Sequence, residues 1–382
     1  MPDQPRPAPT DRELRVAIDA TSLLGNRTGV GTFTHELVSR VAIDRRIDLT
    51  AFAVSWRGRR LLRAHVPPRA RVAEWPMAAR PLRAAWLRSD LPPIEAFTGA
   101  VDVVHGPNFV VPPSRRGAEL VTVHDLTTVR FPELCTDDTL AYPALVARAI
   151  ARGATVHTPS TYVANEVVEH FGIDADRVVA IPNGVSAVEA VDPAEGHHLA
   201  GSDRYVLGLG TVEPRKDFPL LVAAFDQLAA SDPDLRLVIA GADGWGADAL
   251  DAAVDAAVHR ARVVRLGWVD DWQRAGLLRG ASAFAYPSVY EGFGLPPLEA
   301  MTAGVPVVAT ATGPLPEVLG DAALLVPPGD RDALADALAT VLADPVARRR
   351  LVELGTAQAR SYSWDVTAER ITELYLRLGH RR

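Results

Sequence analysis

Two adjacent cations and two spaced carboxylates carry most of the chemistry this sequence offers. Arg215 and Lys216 stand side by side in YVLGLGTVEPRKDF (205–218), and Glu291 and Glu299 bracket a Gly-Phe-Gly turn in SVYEGFGLPPLEA (288–300). Fixed cations suit a reaction that leaves negative charge on a departing group, as cleavage of a sugar from a nucleotide diphosphate does. Without a metal ion they must stabilise that charge themselves, and one such group commonly contributes about 10²- to 10³-fold in rate. Lys216 has a further claim: of 40 lysines plus arginines, 39 are arginine and Lys216 is the one lysine. A chain that writes nearly every cation as arginine yet keeps one ammonium points to a place where the planar guanidinium does not substitute well. A chance survivor in a solvated loop is the other reading.

The turn Gly292, Phe293, Gly294, Leu295 follows a strand-like run and leads into a short helix, with Pro296 and Pro297 at positions that suit a first helical turn. Glycines there allow close backbone approach, and free amides with the helix dipole favour an anion such as a diphosphate. Glu291 and Glu299 cannot both touch phosphate without repulsion, so at least one is expected on neutral hydroxyls, as a ribose or hexose presents them. The plainer alternative makes Glu291 a cap and Glu299 a surface helix residue. In the first half, DATSLLGNRTGVGTFTHEL (19–37) puts Gly25, Gly29 and Gly31 at a strand-to-helix loop. Position 34 is Thr, so the dinucleotide glycine spacing is incomplete, and the loop reads either as a phosphate or sugar contact or as packing. His124 and Asp125 end the strand-like run in VTVHDLTTVRFPE (121–133). An imidazole there is suited to a sugar hydroxyl or to an electron-poor anomeric carbon, through side chain or backbone, although a strand-end histidine is often structural. His105 has the same position on the preceding run.

These groups need elements that hold them. Apolar β-branched runs alternate with Ala/Leu/Arg-rich helical stretches: 14–20, 49–54, 101–105 and 119–124, then 205–210, 235–241, 262–267, 282–287, 306–310 and 322–327. That rhythm predicts an α/β protein with two doubly wound, Rossmann-like domains facing across a cleft, and 382 residues are too many for one ordinary core. The expected division is a disordered Pro-rich tail over 1–13, a first domain over 14–190, a second over 204–362, and a last helix from 363 to 382 that packs on its own domain or crosses back. The boundary is expected in the small, polar run 186–203. The formal net charge of -7 argues against a general nucleic-acid binder. A single cysteine, Cys135, an opening without a signal-peptide core and no long apolar run lead to the expectation of a cytoplasmic protein that does not cross a bilayer. Between Trp56 and Arg88 nine arginines alternate with Trp75 and Trp86, which makes 56–88 a candidate for peripheral contact with anionic lipid at the inner face of the membrane, or else an Arg-rich solvated surface.

Taken together, the Gly-rich first turn, HGPNF (105–109), VTVHDL, TPS (158–160), IPNGV (181–185), GTVEPRK, GADGWG (241–246), YEGFGLPPLEA and GPLPEVLGDAALLVPP (313–328) resemble retaining glycosyltransferases of family 4 with the GT-B fold. The likeness is to the mannosyltransferase-like branch of bacterial polysaccharide and O-antigen synthesis, and it spans roughly 14–375. It implies a nucleotide-sugar donor, with GDP-mannose the best single guess, a saccharide or lipid-linked acceptor, and retention of configuration without a metal or other cofactor. By resemblance, Glu291 lies near the donor sugar and Glu299 on the ribose. Arg215 and Lys216 bind the diphosphate, His124 lies beside the reacting carbon, and Gly29 to Gly31 close on the donor. One departure stands out: many members have Arg after the glycine that ends the strand, whereas Thr211 follows Gly210 here, which shifts load to Arg215. Of the Asp-x-Asp triplets, 174–176 and 232–234 fall in helix-to-strand loops, away from where a parallel sheet binds ligands. The rival readings are a nucleotide-sugar epimerase of related architecture and a non-catalytic nucleotide-sugar-binding subunit.

Overall fold

Parallel pairing and burial on both faces explain why the apolar runs have little alternation. The computed structural model describes residues 13–25 and 28–380, so the segment 1–12, where a tail is expected, lies outside the described residues. The first sheet contains β1 (Leu14–Asp19), β2 (Ile47–Phe52), β3 (Arg71–Val72), β4 (Val103–Gly106), β5 (Ala118–Thr122), β6 (Thr155–Thr158) and β7 (Val178–Ala180), in the order β3-β2-β1-β4-β5-β6-β7. The second contains β8 (Tyr205–Leu209), β9 (Arg236–Ala240), β10 (Val263–Gly267), β11 (Ala283–Tyr286), β12 (Val307–Thr310) and β13 (Ala323–Val326), in the order β10-β9-β8-β11-β12-β13. All named pairs are parallel, so each sheet presents every strand's C-terminal end along one edge. Strand order reverses between β1 and β4 and again between β8 and β11, and loops that part at such a reversal leave a crevice where ligands bind.

The last helix, Trp364–Gly379, returns to the first sheet. Trp364, Ile371, Leu374, Tyr375 and Leu378 join Leu14, Val16, Ile18, Phe33 and Leu37 in one core cluster. Burying each such large side chain contributes roughly 1.5–3 kcal/mol. Ser363 caps the helix by accepting from the Asp365 amide at 3.2 Å. The two crossings between domains run side by side: the Val185 amide donates to the Tyr362 carbonyl at 3.1 Å, and a Cβ on Gly184 would meet the Trp364 amide nitrogen at 2.2 Å.

The halves also touch across the cleft. Ser160 Oγ donates to the Gly292 carbonyl at 3.0 Å, and the Glu317 carboxylate accepts from the Thr161 and Tyr162 amides at 2.9 and 3.1 Å. Those amides open the helix Thr161–Phe171, where the dipole favours an anion. Tyr290, next to Glu291, reaches into the first domain, where its hydroxyl donates to Glu166 at 2.7 Å and accepts from the Leu126 amide at 2.8 Å. Arg130 pairs with the same Glu166 and lies over the Tyr290 ring.

Candidate functional site

The loops after β8 and β11 flank the reversal in the second sheet, and both carry charge. Past Gly210 the chain makes a short turn, Pro214–Lys216, and Asp217 then caps the helix Phe218–Ala229. The loops are zipped by the Val289 amide donating to the Arg215 carbonyl at 2.9 Å. Arg215 and Lys216 thereby converge on one atom: Arg215 Nη1 lies 2.8 Å and Lys216 Nζ 2.7 Å from Glu291 Oε1. Lys216 also donates to the Tyr286 hydroxyl at 2.6 Å, and Arg215 to the Tyr290 carbonyl at 2.8 Å.

Electrostatics follow from this convergence. Burial alone would push the Glu291 carboxyl up, but Arg215 and Lys216 outweigh it and hold it down at about 2. Glu291 is therefore a carboxylate at neutral pH, shared by two cations. Burial pulls the Lys216 ammonium down, with Glu291 opposing. Arg215 is desolvated too, yet the carboxylates around it raise its affinity for the proton. Arg215 Nε is buried and has no hydrogen-bond partner among the described residues, a donor left over at a cleft.

The Gly-Phe-Gly turn brings the domains into contact. A Cβ on Gly292 would lie 1.9 Å from the His124 carbonyl oxygen, so only glycine permits this approach. Gly294 adopts φ 106°, the left-handed region, and lets the chain enter the helix Leu295–Thr302. Phe293 turns its ring into the core of the second domain, edge-on to Tyr362 at 5.5 Å, so its side chain packs rather than facing the cleft. Leu295 faces the first domain: a Cβ on Gly29 would sit 3.8 Å from Leu295 Cδ1. Gly29 and Gly31 lie in the first turn of the helix Gly29–Val41, and Gly31 also lines a small cavity of about 100 Å³ with Ser22, Leu23, Gly25, His35 and His65.

His124 stands across from this turn. Its Nε2–H donates to the Pro107 carbonyl at 2.7 Å, and its ring is held edge-on by Phe33 at 5.3 Å and Phe109 at 6.1 Å. Burial lowers its proton affinity, so the imidazole is neutral. What it turns toward the glycine turn is its backbone carbonyl, an electron-rich dipole. His105 is different: it is buried in a chain of hydrogen bonds from Tyr375 through His105 and Thr122 to His157, with distances of 2.6, 2.8 and 2.9 Å. That network fastens the last helix to β4, β5 and β6.

Glu299 does not join the Arg215–Lys216 cluster. It pairs with Arg274 of the helix Asp271–Gly280, and burial pushes its carboxyl up while Arg274 opposes. Arg274 escapes sequence reading because it is one arginine among many, in a helix without a marked motif. The Arg/Trp-rich segment changes in one respect: Trp86 is fully buried and its indole N–H donates to the Pro92 carbonyl at 3.0 Å, whereas Trp56, Leu61 and Trp75 are exposed. Among the described residues no helix is long and apolar enough to cross a membrane.

Comparison with known proteins agrees with this architecture. Residues 27–188 match the family model "Glycosyltransferase Family 4", and residues 194–358 match "Glycosyl transferases group 1". The chain is 32% identical over 367 residues to the O-antigen chain mannosyltransferase B of Escherichia coli, covering 88% of this chain and 93% of that protein. It is 38% identical over 215 residues to the phosphatidyl-myo-inositol mannosyltransferase of Mycobacterium leprae, covering 54% of this chain and 55% of that protein. The sucrose-phosphate synthase structure from Thermosynechococcus elongatus superimposes with a TM-score of 0.76 at 21% identity, over 97% of this chain and all of that one.

Proposed function

The chain is a glycosyltransferase of family 4 with the two-sheet GT-B architecture, and from that premise we propose that it moves a hexose, mannose from GDP-mannose, to a saccharide or lipid-linked acceptor. Retention of configuration and independence of metal ions belong to the same proposal. The observation that carries it is the meeting of Arg215 and Lys216 on Glu291 at the strand reversal, facing the His124 carbonyl across the Gly292 turn. Mannose is favoured by the two mannosyltransferase relatives.

In this mechanism the anomeric carbon–phosphate oxygen bond breaks first, and the diphosphate takes the electron pair while Arg215 and Lys216 neutralise it. Charge on the sugar is oxocarbenium-like, and the His124 carbonyl, an electron-rich dipole, is suited to stabilise the electron-poor carbon. The acceptor hydroxyl attacks from the departing group's own face and gives its proton to a diphosphate oxygen. Glu291 holds the cations in place and is suited to the donor sugar's hydroxyls. Glu299, just over one turn into the helix Leu295–Thr302, is suited to the ribose.

Melting shifts across GDP-mannose, UDP-glucose and related nucleotide-sugars test the donor, since a ligand that binds only the folded state raises stability by mass action. The largest shift is expected with GDP-mannose, and transfer is expected to survive EDTA. Full dependence on added manganese or magnesium would overturn metal independence. Turnover of GDP-mannose to an isomer without any acceptor would replace transfer by epimerisation.

Exposed Trp56 and Leu61 alternate along the chain with exposed Arg57, Arg60 and Arg63, and exposed Trp75 follows exposed Arg71, so peripheral contact with an anionic membrane is also part of the proposal. Co-sedimentation with phosphatidylglycerol vesicles at low salt is expected, and its absence removes this part.

A further inference from the structure

Three unusual features of the first domain lie in the region around His124. Asp19 ends β1, two strands from β5, so its carboxylate stands about 10 Å along the same sheet edge from the strand that delivers His124. One of its oxygens accepts from the Thr21 amide and hydroxyl at 2.9 and 2.5 Å. Burial pushes this carboxyl up, with the Thr21 hydrogen bonds and the charge of Arg83 opposing. Phe109 holds φ 58°, a left-handed conformation that is unfavourable for a non-glycine residue and marks functional sites when it persists. Its ring is stacked on Tyr142 at 5.1 Å and set edge-on to His124. Arg83 completes the column: its guanidinium lies 5.7 Å from the Tyr142 ring centre, and its buried Nε has no hydrogen-bond partner among the described residues. Leu82 and Trp86 sink the Arg83 helix, Ala79–Trp86, into the core cluster that holds Phe109 and Val123.

The column His124–Phe109–Tyr142–Arg83 thus runs outward from the reacting centre along the first domain. The charge of Arg83 acts on the Asp19 carboxyl, yet no ion pair within 4 Å joins the two among the described residues. We propose that Asp19 and Arg83 form the acceptor subsite and take a neutral hexose through hydroxyls lying between carboxylate and guanidinium. A carboxylate accepts from hydroxyl hydrogens and a guanidinium fork donates to hydroxyl oxygens, so one diol satisfies both. A phosphate is disfavoured there, because Asp19 would repel it. This deepens the proposed function and rests on it.

The test uses the full chain with GDP-mannose as donor. The acceptors are methyl α-D-glycosides of mannose, glucose and galactose, with octyl α-D-mannoside as the lipid-like arm. Arg83→Ala and Asp19→Asn are each expected to raise acceptor KM about tenfold or more, the effect of losing a charge-assisted hydrogen bond. Arg83→Lys is expected not to rescue, because the fork is lost. Each variant should keep the wild-type melting shift with GDP, which separates lost recognition from lost folding. Transfer to methyl glycosides identifies a free saccharide acceptor, and transfer to octyl mannoside alone a lipid-linked one; either supports the subsite. Unchanged acceptor KM in both variants overturns it. So does wild-type enzyme that binds GDP but uses none of the four glycosides, or inorganic phosphate that competes with acceptor and not with donor. A wild type with no shift from any nucleotide instead sinks the donor reading.

Discussion

Glu291 keeps its charge because two cations share one of its oxygens, and that gives the residue scale its sharpest predictions. Lys216→Ala should lower turnover about 10²- to 10³-fold while the melting temperature moves little, since Arg215 remains on Glu291. Lys216→Arg should fail to restore it: the site between Tyr286 and Glu291 takes a compact ammonium, 2.6 and 2.7 Å from its partners, where a planar fork does not fit. Steady-state rates alongside thermal melts check both. A pH series isolates Glu291. Its carboxyl is held at about 2, below its ordinary 4.5, so it binds its proton more weakly when folded. The stability it adds is present above about 4.5 and is lost as pH falls toward 2. The melting-temperature gap between wild type and Glu291→Gln should therefore be full at pH 6 and close as pH drops through that window. The types and neighbours of Lys216 and Glu291 could be read from the sequence. Their meeting on one oxygen could not, because it depends on two loops 75 residues apart. Arg274 and Arg83 are invisible for a compositional reason: in a chain with 39 arginines the letter alone distinguishes nothing.

At the scale of elements, the Gly292 turn and Tyr290 set how the halves meet. Gly292→Ala should force the turn and the His124 carbonyl apart, because the added Cβ would sit 1.9 Å from that oxygen. The expected result is a fall in kcat of about 10²-fold, in keeping with how steeply rate depends on sub-ångström placement. Each domain's own packing is untouched, so far-UV circular dichroism should not change. Wild-type kcat in this variant would show that the approach does not matter to the reaction. Strands β1, β2, β4, β5 and β8 to β13 were legible because buried parallel strands write themselves as apolar runs. The strands β3, β6 and β7 were not. β3 has only two residues and β7 is a half-buried edge. β6 reads Thr-Val-His-Thr, whose polar side chains look like a loop until His157 is seen bonded to Thr122 and to the Ile181 carbonyl at 3.1 Å. The helix at Gly29–Val41 was legible as a strand-to-helix loop, but which domain its glycines would face was not.

For the whole molecule, the decisive arrangement is the last helix resting on the first sheet. Removing residues 363–382 would strip Trp364, Ile371, Leu374, Tyr375 and Leu378 from a core that includes Leu14, Phe33 and Leu37, and would leave His105 without Tyr375. The truncated chain should lose its cooperative melt or aggregate on expression, well beyond the effect of any single surface change. Calorimetry on the truncated and full chains checks this. The sequence left open whether this helix stays with its own domain, since an amphipathic stripe does not name its partner.

The same arrangement bears on how the protein is made. The first domain emerges from the ribosome before the second, yet the helix that seals it is translated only after the second. Until that helix is made, the nascent first half carries an uncovered apolar groove, while the second half, already whole, can fold ahead of it. Order of maturation is thus reversed relative to order of synthesis, and termination before Ser363 would spoil the domain that was translated earlier.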